Sequence, residues 1–282
     1  MEDIFEDRPL LELMHEKLGV PVSERKFRAH FGLPSIVTRV LIEDYDQKPL
    51  QTLKSLNWLK TYPRNIVFGT LWRCDGNYAV SQVESWLLDL RNKWHELDDA
   101  IERRLDIIFP DPIFFGCSCA LDGTECRVRR PSRDQEVWYS GKKGCHTIKY
   151  EGACTFKGDL IFARGGIPGS VHDAVLARLG GGIATTVLEP AEKAVADLGY
   201  VGIDWCITPI KRRPGEDLDH YDRLYNKRLG IGRSTIEHVW ARIKSFDAMC
   251  ARWRHPLYLH EPAFLCLCNA HNLWNLFEPV KA

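Results

Sequence analysis

The chain has 282 residues, of which 45% are apolar and 27% are charged, and its 38 Lys and Arg residues balance 38 Asp and Glu residues. This ordinary globular composition excludes a disordered or fibrous protein, and the length allows one large domain or two small ones. The sequence has no run of about 18 apolar residues, which argues against a membrane-spanning helix, and its acidic start lacks the apolar stretch of a secretory signal. The ten cysteines are therefore expected to be reduced thiols of an intracellular protein without a membrane partner.

The neutral total conceals an uneven distribution of charge. Residues 1–120 carry 15 basic and 19 acidic residues, whereas residues 121–254 carry 22 and 17, a net charge of +5. A basic middle section is a modest indication of a polyanionic partner, although an excess of this size is common by chance.

The first 112 residues are predicted to be helical. Phe27 and Phe31 have helical spacing before a turn at 32–35, and apolar positions then repeat at helical intervals over 36–41 and again over 83–97. A turn at 72–77 precedes the last of these segments. A helix-turn-helix that enters the major groove of DNA is one interpretation, and a small helical bundle packed on the next domain is the other.

The pattern changes after residues 110–112. Apolar or alternating segments at 113–119, 126–129, 138–150 and 160–164 predict strands, with a turn at 121–124. A short helix at 171–179, a short strand at 193–196 and a long helix from about 233 to 251 follow. This order predicts a mixed α/β sheet with flanking helices over 113–254, preceded by the helical region 1–112 and followed by a C-terminal helix, 255–282, that packs on it.

Three carboxylates stand where chemistry could use them. Asp122 follows a strand-like run, Asp197 ends another, and Glu237 lies on a helix face with Arg233 and Lys244. Converging carboxylates at the carboxyl ends of strands suit Mg²⁺ or Mn²⁺, and two such ions can activate a water or a 3′-hydroxyl toward a phosphodiester. The alternative is simple turn chemistry, because Asp is common before Gly and at strand ends.

Seven sequence blocks distinguish between these two interpretations of the carboxylates. They are ALDGTECRVRRP (120–131), WYSGKK (138–143), HTIK (146–149), PGSVHD (168–173), ADLGY (196–200), TPIKR (208–212) with Asn226, and RSTIEHVWARIKSF (233–246). In this order they resemble the DDE endonuclease domain of PIF/Harbinger-type transposases, whose relatives include bacterial insertion-sequence transposases. The helices before the blocks resemble the helix-turn-helix region of that family more weakly.

The resemblance implies an RNase H-like fold and DNA transposition by two-metal-ion phosphoryl transfer. Asp122, Asp197 and Glu237 would be the catalytic residues and the ligands of two Mg²⁺ or Mn²⁺ ions. Since all three acids are present, the resemblance implies a competent enzyme. Two other functions stay open, a domesticated DNA-binding or adaptor protein derived from a transposase and a plain metal-dependent nuclease.

The resemblance also suggests which residues contact DNA or support the site. Arg233 and Lys244 match the signature that the bacterial relatives carry around the glutamate, but Gly230 stands where those relatives have Tyr. From charge rather than from the resemblance, further phosphate contacts are predicted at the basic clusters Arg129 and Arg130, Lys142 and Lys143, and Lys211, Arg212 and Arg213, although each cluster by itself is more typical of a solvated face. Supporting roles are predicted for His172, Asp173 and Asn226.

The expected partners are double-stranded DNA of the element ends and of the target, and a second copy of the chain in a dimer or larger synaptic assembly. The resemblance adds a separate Myb-like DNA-binding protein, with a location in the nucleus of a eukaryote, which we favour slightly, or the cytoplasm of a bacterium. The C-x-C pairs Cys117/Cys119 and Cys266/Cys268 are predicted to be buried apolar residues, because structural zinc sites more often use wider spacings.

Overall fold

The computed structural model describes residues 10–12, 14, 22–93, 96–103 and 116–280. Their contacts divide the chain into two units, one spanning 1–95 and 242–278 and the other spanning 96–241 and 279–282. The predicted boundary between residues 112 and 113 lies outside the described residues. The three predicted domains stay predictions, and the division by contacts follows another line, since 242–278 groups with the N-terminal helices. Across the ranges that the structure describes, no helix is long and apolar enough to cross a bilayer.

Among the described residues, helices precede the first strand, and strands and helices then follow one another along the chain. The helices are α1 (Glu24–Phe31), α2 (Ser35–Asp44), α3 (Pro49–Thr61), α4 (Asn65–Trp72), α5 (Gly76–Lys93), α6 (Glu96–Arg103), α7 (Gln135–Trp138), α8 (Asp173–Arg178), α9 (Ile183–Thr186), α10 (His220–Ile243), α11 (Asp247–Cys250) and α12 (His260–Phe277). The strands are β1 (Cys117–Arg127), β2 (Tyr139–Ser140), β3 (Cys145–Cys154), β4 (Leu160–Pro168), β5 (Lys193–Val195) and β6 (Cys206–Ile207), and 3₁₀ turns occupy Leu198–Tyr200 and Leu257–Leu259.

The first unit is helical, as the apolar spacing predicted. Helix α1 is capped at its start by Ser23, whose hydroxyl accepts a bond from the N–H of Lys26. At its end it is capped by Gly32, whose φ of 83° is the left-handed conformation that favours glycine. Helices α4 and α5 are joined by a three-residue turn, and α12 packs against α2 and α5. A DNA-binding role for the α4–α5 pair stays a prediction.

An ion pair fastens the end of α12 to α1 within this unit. The two Nη atoms of Arg28 contact the two carboxylate oxygens of Glu278 at 2.8 and 2.5 Å, and Trp274 Nε1 donates to the same carboxylate at 3.0 Å. Burial opposes ionisation of Glu278, but the bonds from Arg28 and Trp274 outweigh it and hold the pKa of Glu278 below its ordinary value.

We therefore expect Glu278→Gln to lower the free energy of unfolding by about 1–2 kcal/mol at neutral pH. Because the pKa of Glu278 is depressed in the folded state, its contribution is complete above the unfolded pKa of about 4.3 and is lost as the pH falls through the folded value. Urea denaturation of wild type and variant between pH 7 and about pH 3 should show the difference closing at the acid end. A difference that persists unchanged in acid would show that shape, not charge, is what the variant loses.

The second unit is a mixed α/β sheet, as predicted. Strand β3 pairs antiparallel with β1, β4 and β2, whereas β1 pairs in parallel with β5, and β5 with β6. The order across the sheet is therefore β4-β3-β1-β5-β6, with β2 beside the start of β3. Helices α6, α8 and α9 contribute buried side chains to the apolar cluster on one face, which includes Leu121 of β1.

Several predicted boundaries were wrong. The turn expected at 121–124 is the middle of β1, because eight consecutive residues from Ala120 pair with β3 and this ladder overrides the turn propensity of Asp-Gly. The strand expected at 138–150 is divided by a turn before Cys145, and α10 begins at His220 rather than near 233. Asp219 accepts a 2.7 Å bond from the N–H of Asp222 and caps that start. The glycines at 230 and 232 weaken the helical pattern of the segment, which is why the sequence predicted a start after them.

Candidate active site

Asp122 lies in the centre of β1, on the face of the sheet that α10 covers. It pairs directly with Gly152 of β3, so the two residues point to the same side. A Cβ atom at Gly152 would meet the ring of Trp240 at 2.5 Å, which shows how closely α10 approaches this face. The glycine therefore allows the helix to lie beside Asp122.

Asp197 follows the end of β5, the strand that lies parallel to β1. Its carboxylate accepts a 2.7 Å bond from the N–H of Gly199 and caps the 3₁₀ turn that begins at Leu198. This bond fixes the direction of the side chain, and parallel pairing of β1 with β5 places Asp197 beside Asp122.

The two carboxylates interact electrostatically. Burial and the negative charge of Asp197 raise the pKa of Asp122 to about 6, with a smaller contribution from Asp173, whereas the guanidinium of Arg233 and the N–H of Gly123 act in the opposite direction. Negative charge is thus concentrated at one place on the sheet, where a cation would be stabilised.

Glu237 and Arg233 come from the middle of α10. Arg233 Nη2 lies 3.4 Å from Glu237 Oε1, one helical turn away, and Arg233 also acts on Asp122. The side chain of Glu237 is 59% exposed and free to approach a ligand from the solvent side. Lys244 follows the last residue of α10 and belongs to the first unit, so its contact with DNA stays a prediction. A Cβ atom at Gly230 would meet no atom within 4 Å, so the position where the relatives carry Tyr is open.

Asp173, the first residue of α8, is a third carboxylate close to Asp197, and because it faces Gly123 it approaches β1 from the side opposite to Asp122. Its oxygens lie 2.8 and 2.9 Å from the Cβ positions of Gly123 and Gly199, the neighbours of the two aspartates. Lys149 of β3, almost fully buried, holds it with a 3.0 Å ion pair. His172 precedes it as the exposed cap residue of α8, and its side chain makes no capping bond.

The role of Lys149 was not predicted, although the residue lies within the HTIK block. The signal available was a lysine between Ile148 and Tyr150 in a predicted strand, an arrangement that is rare in a buried strand unless the lysine is paired. The ion pair between Glu151 of β3, which is fully buried, and Arg164 of β4, which is partly buried, was also not predicted.

The donor set fits a hard divalent cation. Asp122, Asp197 and Glu237 offer only carboxylate oxygens, which Mg²⁺ and Mn²⁺ prefer. The raised pKa of Asp122 reflects burial first and then the negative charge of Asp197, and a bound cation would oppose both effects. Among the described residues, however, no three His, Cys, Asp or Glu side chains are already arranged around one metal position. The two aspartates are thus brought together, and Glu237 stands apart on α10.

The predicted basic clusters are exposed and fall into two groups. The N–H of Val128 donates to the carbonyl of His146, which places the end of β1 beside the turn before β3. Arg129 and Arg130 follow the end of β1, and Lys142 and Lys143 lie on the turn between β2 and β3. The remaining cluster, Lys211, Arg212 and Arg213, lies on the loop between β6 and α10.

The C-x-C pairs are buried, as expected of apolar residues. Cys117, Cys119, Cys266 and Cys268 are not in disulfides, and burial raises the pKa of Cys117 to about 11. The first pair lies on β1 and the second within α12.

Comparison with known proteins gives two findings. The family model described as DDE superfamily endonuclease matches residues 121–272, slightly more than half of the chain. The probable transposase for insertion sequence element IS702 of Microchaete diplosiphon is 33% identical over 139 residues. That alignment covers 48% of this chain and 49% of the relative, so the chain matches about half the length of the relative. No solved structure matches.

Proposed function

Because the chain belongs to the DDE superfamily of endonucleases, we propose that it is a transposase that cuts the ends of a DNA element and joins them to target DNA. The observation that carries this proposal is the pairing of Asp122 on β1 with Asp197 after β5, beside a helix that presents Arg233 and Glu237. The relative from Microchaete diplosiphon, a probable transposase, supports the same reaction class.

The sheet supports an RNase H-like fold for this domain. Three antiparallel strands, β4-β3-β1, continue into the parallel strands β5 and β6, as the resemblance to DDE transposases implies. The two aspartates then lie on neighbouring parallel strands at the centre of the sheet, where ligands of open α/β sheets bind.

In this proposal Asp122, Asp197 and Glu237 hold two Mg²⁺ or Mn²⁺ ions, which when bound lower the pKa of the attacking oxygen and stabilise the leaving oxygen. Cleavage breaks the P–O3′ bond as water adds to phosphorus, which leaves a 3′-hydroxyl on the element. Joining forms a new P–O bond from that hydroxyl and releases a 3′-hydroxyl of the target. Arg233 moves from Glu237 to a phosphate, because a charge-assisted bond to phosphate is stronger than an exposed ion pair.

The finer assignments are proposals too. The seven blocks favour the PIF/Harbinger type, for which a Myb-like partner and a nuclear location follow in a eukaryote, and the relative from an insertion sequence favours the cytoplasm of a bacterium. A dimer or larger assembly is expected because an element has two ends that must be cut together. The basic clusters and Lys244 would contact the duplex.

Incubation of the purified chain with supercoiled plasmid and Mg²⁺ or Mn²⁺ tests the proposed chemistry. We expect metal-dependent nicks that leave 3′-hydroxyls and that EDTA prevents. Nicking without joining when a cognate end is supplied would favour the plain nuclease, and DNA binding without either reaction would favour the adaptor protein.

The close approach at Gly199 gives a further prediction. An added Cβ would lie 2.8 Å from Asp197 Oδ1 and 2.9 Å from Asp173 Oδ2, so both carboxylates must shift in Gly199→Ala. A displacement of this kind is expected to reduce nicking about a hundredfold while the chain stays folded. Gly180→Ala is the matched control, because its Cβ meets no atom within 4 Å, and it should nick like wild type. Equal rates for both variants would mean that the positions of these carboxylates do not matter.

A further inference from the structure

Asn226 makes a contact that its predicted supporting role did not anticipate. Its Oδ1 accepts a bond from the N–H of Ile210 at 2.8 Å, and its Nδ2 donates to the carbonyl of the same residue at 3.0 Å. One side chain thus satisfies both main-chain groups of a residue 16 positions earlier in the chain. The amide suits this pattern because it carries its acceptor and its donor on two separate atoms.

The contact holds the basic loop at its start. Ile210 immediately precedes Lys211, Arg212 and Arg213, all of which are exposed. Strand β6 fixes the chain as far as Ile207, and Asn226 fixes it again three residues later. Beyond that point Arg212 pairs with Asp217 at 3.6 Å, and this contact contributes little because both side chains are exposed.

The contact also places the start of the basic loop beside α10. Arg223 and Lys227, on the same stretch of α10 as Asn226, are exposed cations. Asn226 lies 11 residues before Glu237 on one continuous helix, a distance of about 16 Å along its axis. The two bonds therefore bring the loop cations to the helix that carries Glu237, about five phosphates away along one strand of a DNA duplex.

We propose that Asn226 is a positioning residue, which fixes the triplet Lys211–Arg212–Arg213 and the exposed cations of α10 as one phosphate-binding surface for the DNA flanking the scissile bond. The proposal rests on the proposed function only in taking DNA as the polyanion. We call the two bonds between Asn226 and Ile210 the clamp, and the clamp is a property of the chain without DNA.

Limited proteolysis of the full chain tests the clamp without DNA. Trypsin cleavage after Lys211 and Arg212, followed by mass spectrometry, is expected to be about tenfold faster in Asn226→Ala than in wild type, because both bonds that close the loop are lost. Ser234→Ala is the control, since it removes a 2.7 Å bond to the carbonyl of Ile231 that lies entirely within α10. Equal cleavage of wild type and Asn226→Ala would overturn the clamp.

Salt-dependent binding of a random-sequence duplex of about 30 base pairs, in EDTA, tests the surface. Removal of the triplet by Lys211→Ala/Arg212→Ala/Arg213→Ala should reduce the slope of log K against log salt by about 2–3, near 0.9 for each lost phosphate contact. Asn226→Ala should reduce the slope by a similar amount, and the combined variant should lose no more than the triple variant.

A merely structural role for Asn226 would lower the melting temperature but leave the slope unchanged, and that result, or additive losses in the combined variant, would overturn the proposal. If wild type binds no duplex while Asn226→Ala still opens the loop to trypsin, the proposed function fails and the clamp stands without its assigned partner. Wild-type binding with an unaltered Asn226→Ala slope overturns the positioning role alone.

Discussion

Asp122→Asn is expected to reduce metal-dependent nicking of DNA by about three to five orders of magnitude, as the loss of a directly acting group does in other enzymes. Asparagine keeps the size of the side chain but removes the negative charge. Asp122 is the carboxylate whose pKa is raised by burial, by the charge of Asp197 and, to a smaller extent, by that of Asp173. The fold should be retained or slightly more stable, because an isosteric neutral group relieves that repulsion.

Asp204→Asn is the matched control for this variant. Asp204 is an exposed aspartate of the same unit, so its substitution removes one charge from the surface without touching the site. We expect wild-type nicking from Asp204→Asn and a higher or equal melting temperature for Asp122→Asn. Substantial nicking by Asp122→Asn would remove this residue from the reaction.

The largest effect on stability is expected at Arg164. Its guanidinium lies 3.0 Å from the carboxylate of Glu151, which is fully buried, and donates to the carbonyls of Leu176, Leu179 and Gly180 at the end of α8. Arg164→Met leaves the buried carboxylate of Glu151 and the part-buried carbonyl of Leu176 without this partner, so the free energy of unfolding should fall by about 3–5 kcal/mol. Burial already raises the pKa of Glu151, and without Arg164 it should rise further.

Urea denaturation of three variants checks this account. The double variant Glu151→Gln/Arg164→Met removes both charges and should recover part of the stability that Arg164→Met loses. Arg39→Met, which breaks an exposed pair with Glu43 in α2, should cost less than about 0.5 kcal/mol. If Arg164→Met costs no more than Arg39→Met, the buried pair is not a determinant of stability.

Features that depend on neighbours in the chain could be predicted from the sequence. The helical spacing of Phe27 and Phe31, the mixed sheet and the position of Asp197 at a strand end all follow from local patterns. The seven blocks also identified the endonuclease family from the sequence alone. The metal-ligand role of Asp122, Asp197 and Glu237 stays a prediction that the site geometry accommodates.

Features that depend on strand register could not be predicted. The Asp-Gly turn at 122–123 proved to be strand, because pairing with β3 outweighs local propensity. Register also creates the pair between Lys149 and Asp173, which lie 24 residues apart and on different elements. Likewise, no local pattern near Asn226 predicts that its amide binds Ile210 across the basic loop.

We propose that Glu237, rather than Asp173, completes the catalytic set with Asp122 and Asp197. Asp173 lies close to Asp197, on the side of β1 opposite to Asp122, and pairs with Lys149, whereas Glu237 is exposed on α10 and, among the described residues, pairs with Arg233. The most direct test is cleavage and joining of a labelled element-end duplex with Mn²⁺ by Glu237→Gln and Asp173→Asn, side by side with wild type. We predict that Glu237→Gln abolishes both reactions and that Asp173→Asn retains them at a rate reduced about 10- to 100-fold. Activity in Glu237→Gln together with none in a folded Asp173→Asn would contradict the account and assign the third carboxylate to α8.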